Sequence, residues 1–255
     1  MEEKSLVEQN RQSVRSVERA LDILLTFSGA DDHLRLSDIA TRVGLHKSTV
    51  YRLLSALESR GFVRRDKASD RYQLGWSILE LTSHAYRSND ISTIALPEMT
   101  RLRDDIGETV SLYIRSENER IRIQAVESTK PVRRVANIGM RFPLYVGASG
   151  KVLLAYSSEF AQGLLKDIVS FSDDHHYIEF MQQLQMIQSQ GYALSIEERE
   201  VGAAAVAAPV FGRDKKLVAA LSVSGPVDRY KTAQVEEFAD ACKQSAGNIS
   251  VLLAL

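Results

Sequence analysis

Hydrophobic positions along this chain change their period several times, and each change announces a different kind of element. In the first seventy-five residues the repeat is mostly helical. Val17, Leu21, Leu24 and Leu25 fall on one face of a segment for which Ser16 is a suitable N-cap, behind a polar leader, residues 1–12, expected to be flexible. Ser28-Gly29-Ala30-Asp31-Asp32 ends that helix. A second begins at Ser37, turns Ile39, Ala40 and Val43 inward, and stops at Gly44, which tolerates the left-handed backbone that helix ends favour. After a break of three or four residues a third helix is predicted from Lys47 to Arg60. Its apolar positions Val50, Leu53, Leu54 and Leu57 repeat at i, i+3, i+4, i+7, and its other side carries Lys47, Ser48, Thr49, Tyr51, Arg52 and Ser55. Gly61 closes it, and Phe62 to Arg65, a polar stretch from Asp66 to Asp70, and Arg71 to Leu74 read as a two-stranded hairpin. Leu74, Ile78, Leu81 and Ala85 then resume helical spacing, so a linker helix is predicted from Trp76 to Ser88, ending in Ser88-Asn89-Asp90.

Beyond residue 91 strands and helices mix. A helix from Ser92 to Ile106 precedes Val110 to Arg115 and Ile121 to Glu127, both alternating apolar and polar side chains as half-buried strands do. A loop with Pro131, Gly139 and Pro143 leads to helices near Gly150 to Tyr156, Glu159 to Ile168 and His175 to Gln190. Strands near Tyr192 to Ile196, Ala203 to Phe211 and Leu217 to Ser224 follow, then a last helix from Lys231 to Leu253. The pattern is α+β. It divides into the leader, a three-helix-plus-hairpin domain at 13–75, the linker helix at 76–90 and a larger domain at 91–255.

Composition narrows the class. A chain of 255 residues, 44% hydrophobic and 25% charged, suits two modest globular domains. No apolar run reaches the roughly 18 residues of a membrane span, and the polar start carries no signal-peptide stretch, so a cytoplasmic protein is expected. The lone cysteine, Cys242, has no disulfide partner and reads as a buried apolar residue of the last helix; neither metal nor other cofactor is expected. Net charge is only −1, yet between Arg42 and Arg71 eight basic residues face three acids, a local surplus of five. Binding to a polyanion follows such a local surplus more than the total.

That basic stretch coincides with a helix-turn-helix. In such a unit one helix braces a second, whose polar face enters the major groove and sets its N-terminal side chains against base edges. Lys47, Ser48 and Thr49 occupy the first turn, where free N–H groups also favour a phosphate. Arg52 is the candidate for bidentate guanine contact and Lys47 for a phosphate. In the hairpin, or wing, Arg64 and Arg65 point to opposite faces, so one reaches DNA while the other braces the hairpin or pairs with Asp66 or Asp70; either suits the reading role.

These segments together resemble the IclR family of bacterial regulators over residues 13 to 254. The resemblance is carried by Ser16 to Leu25, Leu36 to Leu54, Gly61 to Gly75, Gly147 to Ala155 and Gly191 to Pro209. It implies a winged helix-turn-helix, a linker helix used for dimerisation, and a ligand domain with a GAF-like or profilin-like antiparallel sheet and flanking helices. Serine usually caps the recognition helix in that family; His46 stands there instead, which makes its imidazole a further DNA candidate. The DNA-facing set expected is Ser37, His46, Lys47, Ser48, Thr49, Tyr51, Arg52, Ser55, Arg64, Arg65 and Tyr72.

Gly147-Ala148-Ser149-Gly150 is a small-residue loop ahead of a helix, a place whose backbone N–H groups suit a carboxylate. Catalytic readings of it fail, because a P-loop requires glycine where Tyr145 stands and a nucleophile elbow requires glycine where Lys151 stands. The resemblance carries the effector position over to Ala148, Ser149, Ser195, Ala205, Ser222 and Ser224, and Gly150 of the same loop joins them. Some relatives place an acid at Ser195 and a cysteine at Ala205, so their acid-plus-thiol pocket is not reproduced. The alanines at 203, 204, 205, 207 and 208 either enlarge the pocket or pack against helices. His175-His176 beside Asp173 and Asp174 reads as a solvated helix start instead of a metal site, since adjacent residues rarely share a metal. Glu197-Glu198-Arg199-Glu200 reads as an exposed, partly self-paired loop. The expected protein is therefore a non-enzymatic, sequence-specific transcription regulator. It would be a repressor by preference, dimeric or a dimer of dimers, bound to an operator and controlled by a small organic acid. The alternatives are a small hydrolase or transferase domain with an N-terminal interaction module, or a DNA-binder without a ligand.

Overall fold

The computed structural model describes residues 2–28, 31, 33–85, 91–158, 165 and 174–254, with the backbone alone for 2–13, 84, 85 and 174. Two compact units, Met1–Asn89 and Asp90–Leu255, make up the chain.

The first unit holds α1 (Glu2–Leu25), α2 (Leu36–Val43), α3 (Lys47–Ser59), the hairpin β1 (Val63–Asp66) and β2 (Arg71–Leu74), and α4 (Trp76–Ala85). Its core is Ile23, Phe27, Leu34, Ile39, Val50, Leu54, Val63 and Tyr72. Three expectations change here. Ser16 caps nothing, because α1 already begins at Glu2; the leader holds good helix formers and neither glycine nor proline, so nothing stops the helix extending through it. Arg35, not Ser37, is the N-cap of α2, and the Asp38 carboxylate accepts the Arg35 backbone N–H at 3.2 Å. Of the apolar face of α1, Val17, Leu21 and Leu25 are exposed, and the inward anchors are Ile23 and Phe27. Gly44 takes the expected left-handed conformation after α2, at φ 64°. The predicted end of the linker at Ser88-Asn89-Asp90 lies outside the described residues.

In the second unit α5 (Ile91–Ile106), β3 (Thr109–Ser116), β4 (Glu119–Val126), β5 (Arg141–Pro143), α6 (Ala148–Ala155), α7 (Asp174–Gln190), β6 (Ala193–Ile196), β7 (Ala203–Phe211), β8 (Leu217–Pro226) and α8 (Thr232–Ala254) follow in order. The six strands form one antiparallel sheet in the order β5-β4-β3-β8-β7-β6. Successive side chains of a strand point to opposite faces, and here both faces are covered. Val110, Leu112, Val206, Ala208, Leu221 and Val223 pack with α5 and α8, whereas Tyr113, Ala207 and Ala220 pack with α6 and α7. Strand β5 lies where the sequence pattern gives a loop; three residues are too few to show a period. The predicted helix from Glu159 to Ile168 lies outside the described residues, apart from Leu165. Cys242 is fully buried in α8, and desolvation pushes its thiol up to about 12.

Candidate DNA-reading face and ligand cavity

The two α-helices α2 and α3 meet through a short turn at Gly44, Leu45 and His46, where the Leu45 N–H reaches Ala40 O at 3.1 Å. Behind α3, Val50 and Leu54 are fully buried; on its other side Lys47, Ser48, Tyr51, Arg52 and Ser55 are exposed and Thr49 is half-buried. This division follows from the spacing alone, since residues three and four apart share a helix face. His46 is the backbone N-cap and its side chain makes no capping bond, so the imidazole projects from the start of α3. Ser37, Thr41, His46, Lys47 and Ser48 line one open groove between the two helices. Ser37 thus stands beside the start of α3 although it caps nothing.

The wing separates its two arginines. Arg65 is ion-paired to Asp70 and its guanidinium lies 5.5 Å from the Tyr72 ring centre. The bond to Asp70 raises its pKa further above the ordinary arginine value. Arg64 hydrogen-bonds Gln73 Oε1 at 3.1 Å and lies 5.3 Å over the ring of Trp76, a partner that sequence periodicity did not suggest. Tyr72 itself is only 3% exposed. Its ring belongs to the core under the wing, and its backbone pairs with Leu34, so the expected DNA contact by Tyr72 is corrected to a structural role.

In the second unit a cavity of about 50 Å³ opens where α6 begins against the sheet. Ala148, Ser149, Ser195, Ala205, Ser222 and Ser224 all line it, joined by Tyr113, Arg120, Arg122, Arg134, Arg199 and Glu200. Gly150 does not. A side chain there would collide with Leu144 O at 2.1 Å and Arg120 Nη1 at 2.5 Å, so Gly150 serves close packing beneath the loop. The alanine run splits: Ala203, Ala204 and Ala205 border the cavity, while Ala207 and Ala208 pack in the two cores.

The cavity's arginines are the feature that periodicity missed. Arg120 and Arg122 alternate with Ile121 and Ile123, a pattern that puts one set inside; here the arginines are the buried set, at 2% and 5% exposure, and the isoleucines are half-buried. Arg122 donates from Nε and Nη2 to the Tyr113 hydroxyl at 3.0 and 2.6 Å. Arg120 donates Nη1 to the Pro143 carbonyl, while its buried Nε has no acceptor. Burial, reinforced by the neighbouring charges of Arg199 and Arg122, lowers its pKa to about 10.

The acidic loop after β6 is exposed and partly self-paired, with Glu197 Oε1 accepting the Gly202 N–H at 2.6 Å, and it is also paired with the cavity wall. Glu198 Oε1 receives Lys151 Nζ at 2.5 Å and its Oε2 receives the Gly147 N–H at 3.0 Å. One N–H of the small-residue loop is therefore already given to the protein's own carboxylate, and those of Ala148 and Ser149 head α6 without helical partners. Glu200 pairs with Arg134 at 2.6 Å, which holds its carboxyl below the usual range, and Arg199 lies 4.4 Å from the Phe142 ring centre. His175 Nε2 faces Glu179 Oε1 at 3.3 Å across one turn of α7; Asp173 and the side chain of Asp174 lie outside the described residues.

Two family models account for most of the chain. The IclR helix-turn-helix domain matches residues 16–67, and the model described as the C-terminal domain of the bacterial transcriptional regulator IclR matches residues 83–251. The chain belongs to the IclR family. It is a DNA-binding transcription regulator with an N-terminal helix-turn-helix and a C-terminal α+β unit. Among IclR-family relatives, the HTH-type transcriptional regulator XynR of Escherichia coli (strain K12) is 31% identical over 243 residues, covering 91% of this chain and 94% of that one. The transcriptional repressor IclR of the same organism is 27% identical over 248 residues, covering 93% and 89%. The crystal structure of an IclR transcriptional regulator from Alicyclobacillus acidocaldarius superposes with a TM-score of 0.79 at 31% identity, over 93% of this chain and 98% of that one. No helix among the described residues is long and apolar enough to cross a membrane.

Proposed function

We propose that the chain is a cytoplasmic, effector-controlled repressor that reads its operator with α3 and the wing. The observation that carries this is the exposed polar face of α3, Lys47, Ser48, Tyr51, Arg52 and Ser55, held out by the fully buried Val50 and Leu54 within an IclR helix-turn-helix. Thr49, His46 and Ser37 complete the face at the start of α3. In the wing Arg64 is the reader, since Arg65 is committed to Asp70. Two copies would address half-sites about one helical turn or a multiple apart. The apolar face of α1, with Val14, Val17, Leu21 and Leu25 all more than half exposed, together with exposed Trp76, Leu79 and Leu81 on α4, supports a dimer built on these helices.

The effector in this reading is a small carboxylate in the arginine-lined cavity, contacted by Ala148, Ser149, Ser195, Ala205, Ser222 and Ser224, with its effect passed to the recognition helices through α4. Among the described residues the cavity serines have no imidazole beside them, and the one lining carboxylate, Glu200, is tied to Arg134; sensing, not catalysis, suits that chemistry. Footprinting on duplexes selected from random sequence tests the reading. A protected site whose affinity falls about 5- to 150-fold in Arg52→Ala supports it. The absence of any preferred site, or an unchanged affinity and salt slope in that variant, overturns it.

A further inference from the structure

The charge lining the cavity exceeds what one carboxylate can neutralise. Four guanidinium groups reach it from three separate segments: Arg120 and Arg122 on β4, Arg134 in the following loop, and Arg199 after β6. Among the described residues, Arg134 is the one of these four that forms an ion pair, with Glu200. Arg122 is bonded to neutral oxygens, the Tyr113 hydroxyl and the Asn137 carbonyl at 3.3 Å. Arg199 lies on the Phe142 ring, and Arg120, 2% exposed, keeps a buried Nε without an acceptor. Three guanidinium charges of one sign therefore border one small space with no carboxylate bound to them. Arg199 is exposed, but Arg120 and Arg122 are buried, and unpaired charge so poorly hydrated is costly unless something of opposite sign binds beside it.

We propose that the cavity is built for a compact dicarboxylate. This deepens the reading of the cavity as the effector site and rests on it. A monoacid offsets one of the three charges. A diacid offsets two, and retains neutral donors for its remaining lone pairs in the α6 N-terminus and the hydroxyls of Ser149, Ser195 and Ser224. The loop is shaped around Arg120: a side chain at Gly147 would stand 3.1 Å from its Nη2 and one at Gly150 2.5 Å from its Nη1. Only a bare loop lets that guanidinium lie against the start of α6, so both anion-binding features serve one ligand. The cavity is small, about 50 Å³, which favours a compact ligand over a large one.

Matched pairs of acids differing in one carboxylate test this: succinate against butyrate, glutarate against valerate, fumarate against crotonate, each titrated calorimetrically into the full chain, with inorganic phosphate as a fourth probe. The expected result is that at least one diacid binds about tenfold or more tighter than its monoacid partner. Arg199→Gln, an exposed change that leaves the core intact, should bring that ratio towards one, whereas Ser149→Ala should weaken both acids of a pair alike. Monoacids binding as tightly as diacids would overturn the proposal while leaving an acid-binding cavity in place. Phosphate binding as tightly as the best diacid would equally overturn it, in favour of a phosphorylated ligand. If no acid and no phosphate binds at all, the effector-site reading fails as well.

Discussion

Arg120 shows how a single residue trades stability for binding. Its guanidinium is buried with an unpartnered Nε, and its pKa of about 10 in the folded chain lies below the ordinary arginine value. Because the folded value is the lower one, the ionised group costs stability at every pH below about 10, and that cost is lifted only as pH rises from there towards the ordinary value. Arg120→Met keeps most of the volume and removes the charge. In urea denaturation at pH 7 without ligand it should be about 1–3 kcal/mol more stable than the parent chain, despite losing the bond to the Pro143 carbonyl. A less stable variant would make Arg120 a structural pin instead. Sequence could not expose this residue: a strand of alternating arginine and isoleucine looks the same whether the arginines face water or a second packed layer. Cys242 was legible from its place on the apolar side of the last helix. With its thiol fully buried and its pKa raised to about 12, it should resist alkylation at pH 8 in the native chain and react only once denaturant is added.

At the scale of elements, the helix-turn-helix was readable because α3 combines a 3.6-residue apolar repeat, a polar opposite face and flanking glycines, all of them local signals. The wing was readable as a hairpin but not in its side-chain roles, since Tyr72 turns inward and Arg64 finds Trp76 through contacts no short window contains. Cavity walls were half readable. The small-residue loop stands out in sequence and the serines of β8 came only through the family resemblance, but Arg120, Arg134 and Arg199 belong to distant segments that only the sheet brings together. Where the wing meets α4, Gly75 crosses Gly61. A Cβ at Gly75 would lie 2.0 Å from Gly61 O, and that same oxygen already accepts the Ser77 N–H at 3.1 Å. Gly75→Ala should therefore force the wing away from the start of α4, at a cost of about 1–3 kcal/mol in thermal unfolding, with operator affinity falling alongside. Full stability in that variant would show the crossing to be loose.

For the whole molecule, the proposed effector-controlled repressor works only if ligand binding in one unit alters DNA binding by the other. In that reading dimerisation is the first requirement. Val17→Glu combined with Leu21→Glu changes two exposed positions on α1 and leaves the buried Ile23 and Phe27 untouched; by sedimentation the variant should be monomeric yet folded, with operator binding lost. A folded variant that stays dimeric would move the interface elsewhere. Coupling is the second requirement, and it is reciprocal. A ligand that lowers operator affinity by some factor must have its own affinity lowered by the same factor when the operator is bound. With the coupling free energy usual for such proteins, about 1–3 kcal/mol, the factor should fall between about 5 and 150. Titrating the best diacid into the protein with and without saturating duplex measures one side, and titrating duplex with and without saturating diacid measures the other. Factors well above one would show that cavity and operator are coupled, and their equality, which linkage requires, would confirm that both titrations report equilibrium binding. A diacid that binds tightly yet leaves operator affinity unchanged would reduce the cavity to a site that stabilises its own unit alone, because a ligand with equal affinity for two arrangements of the dimer shifts neither.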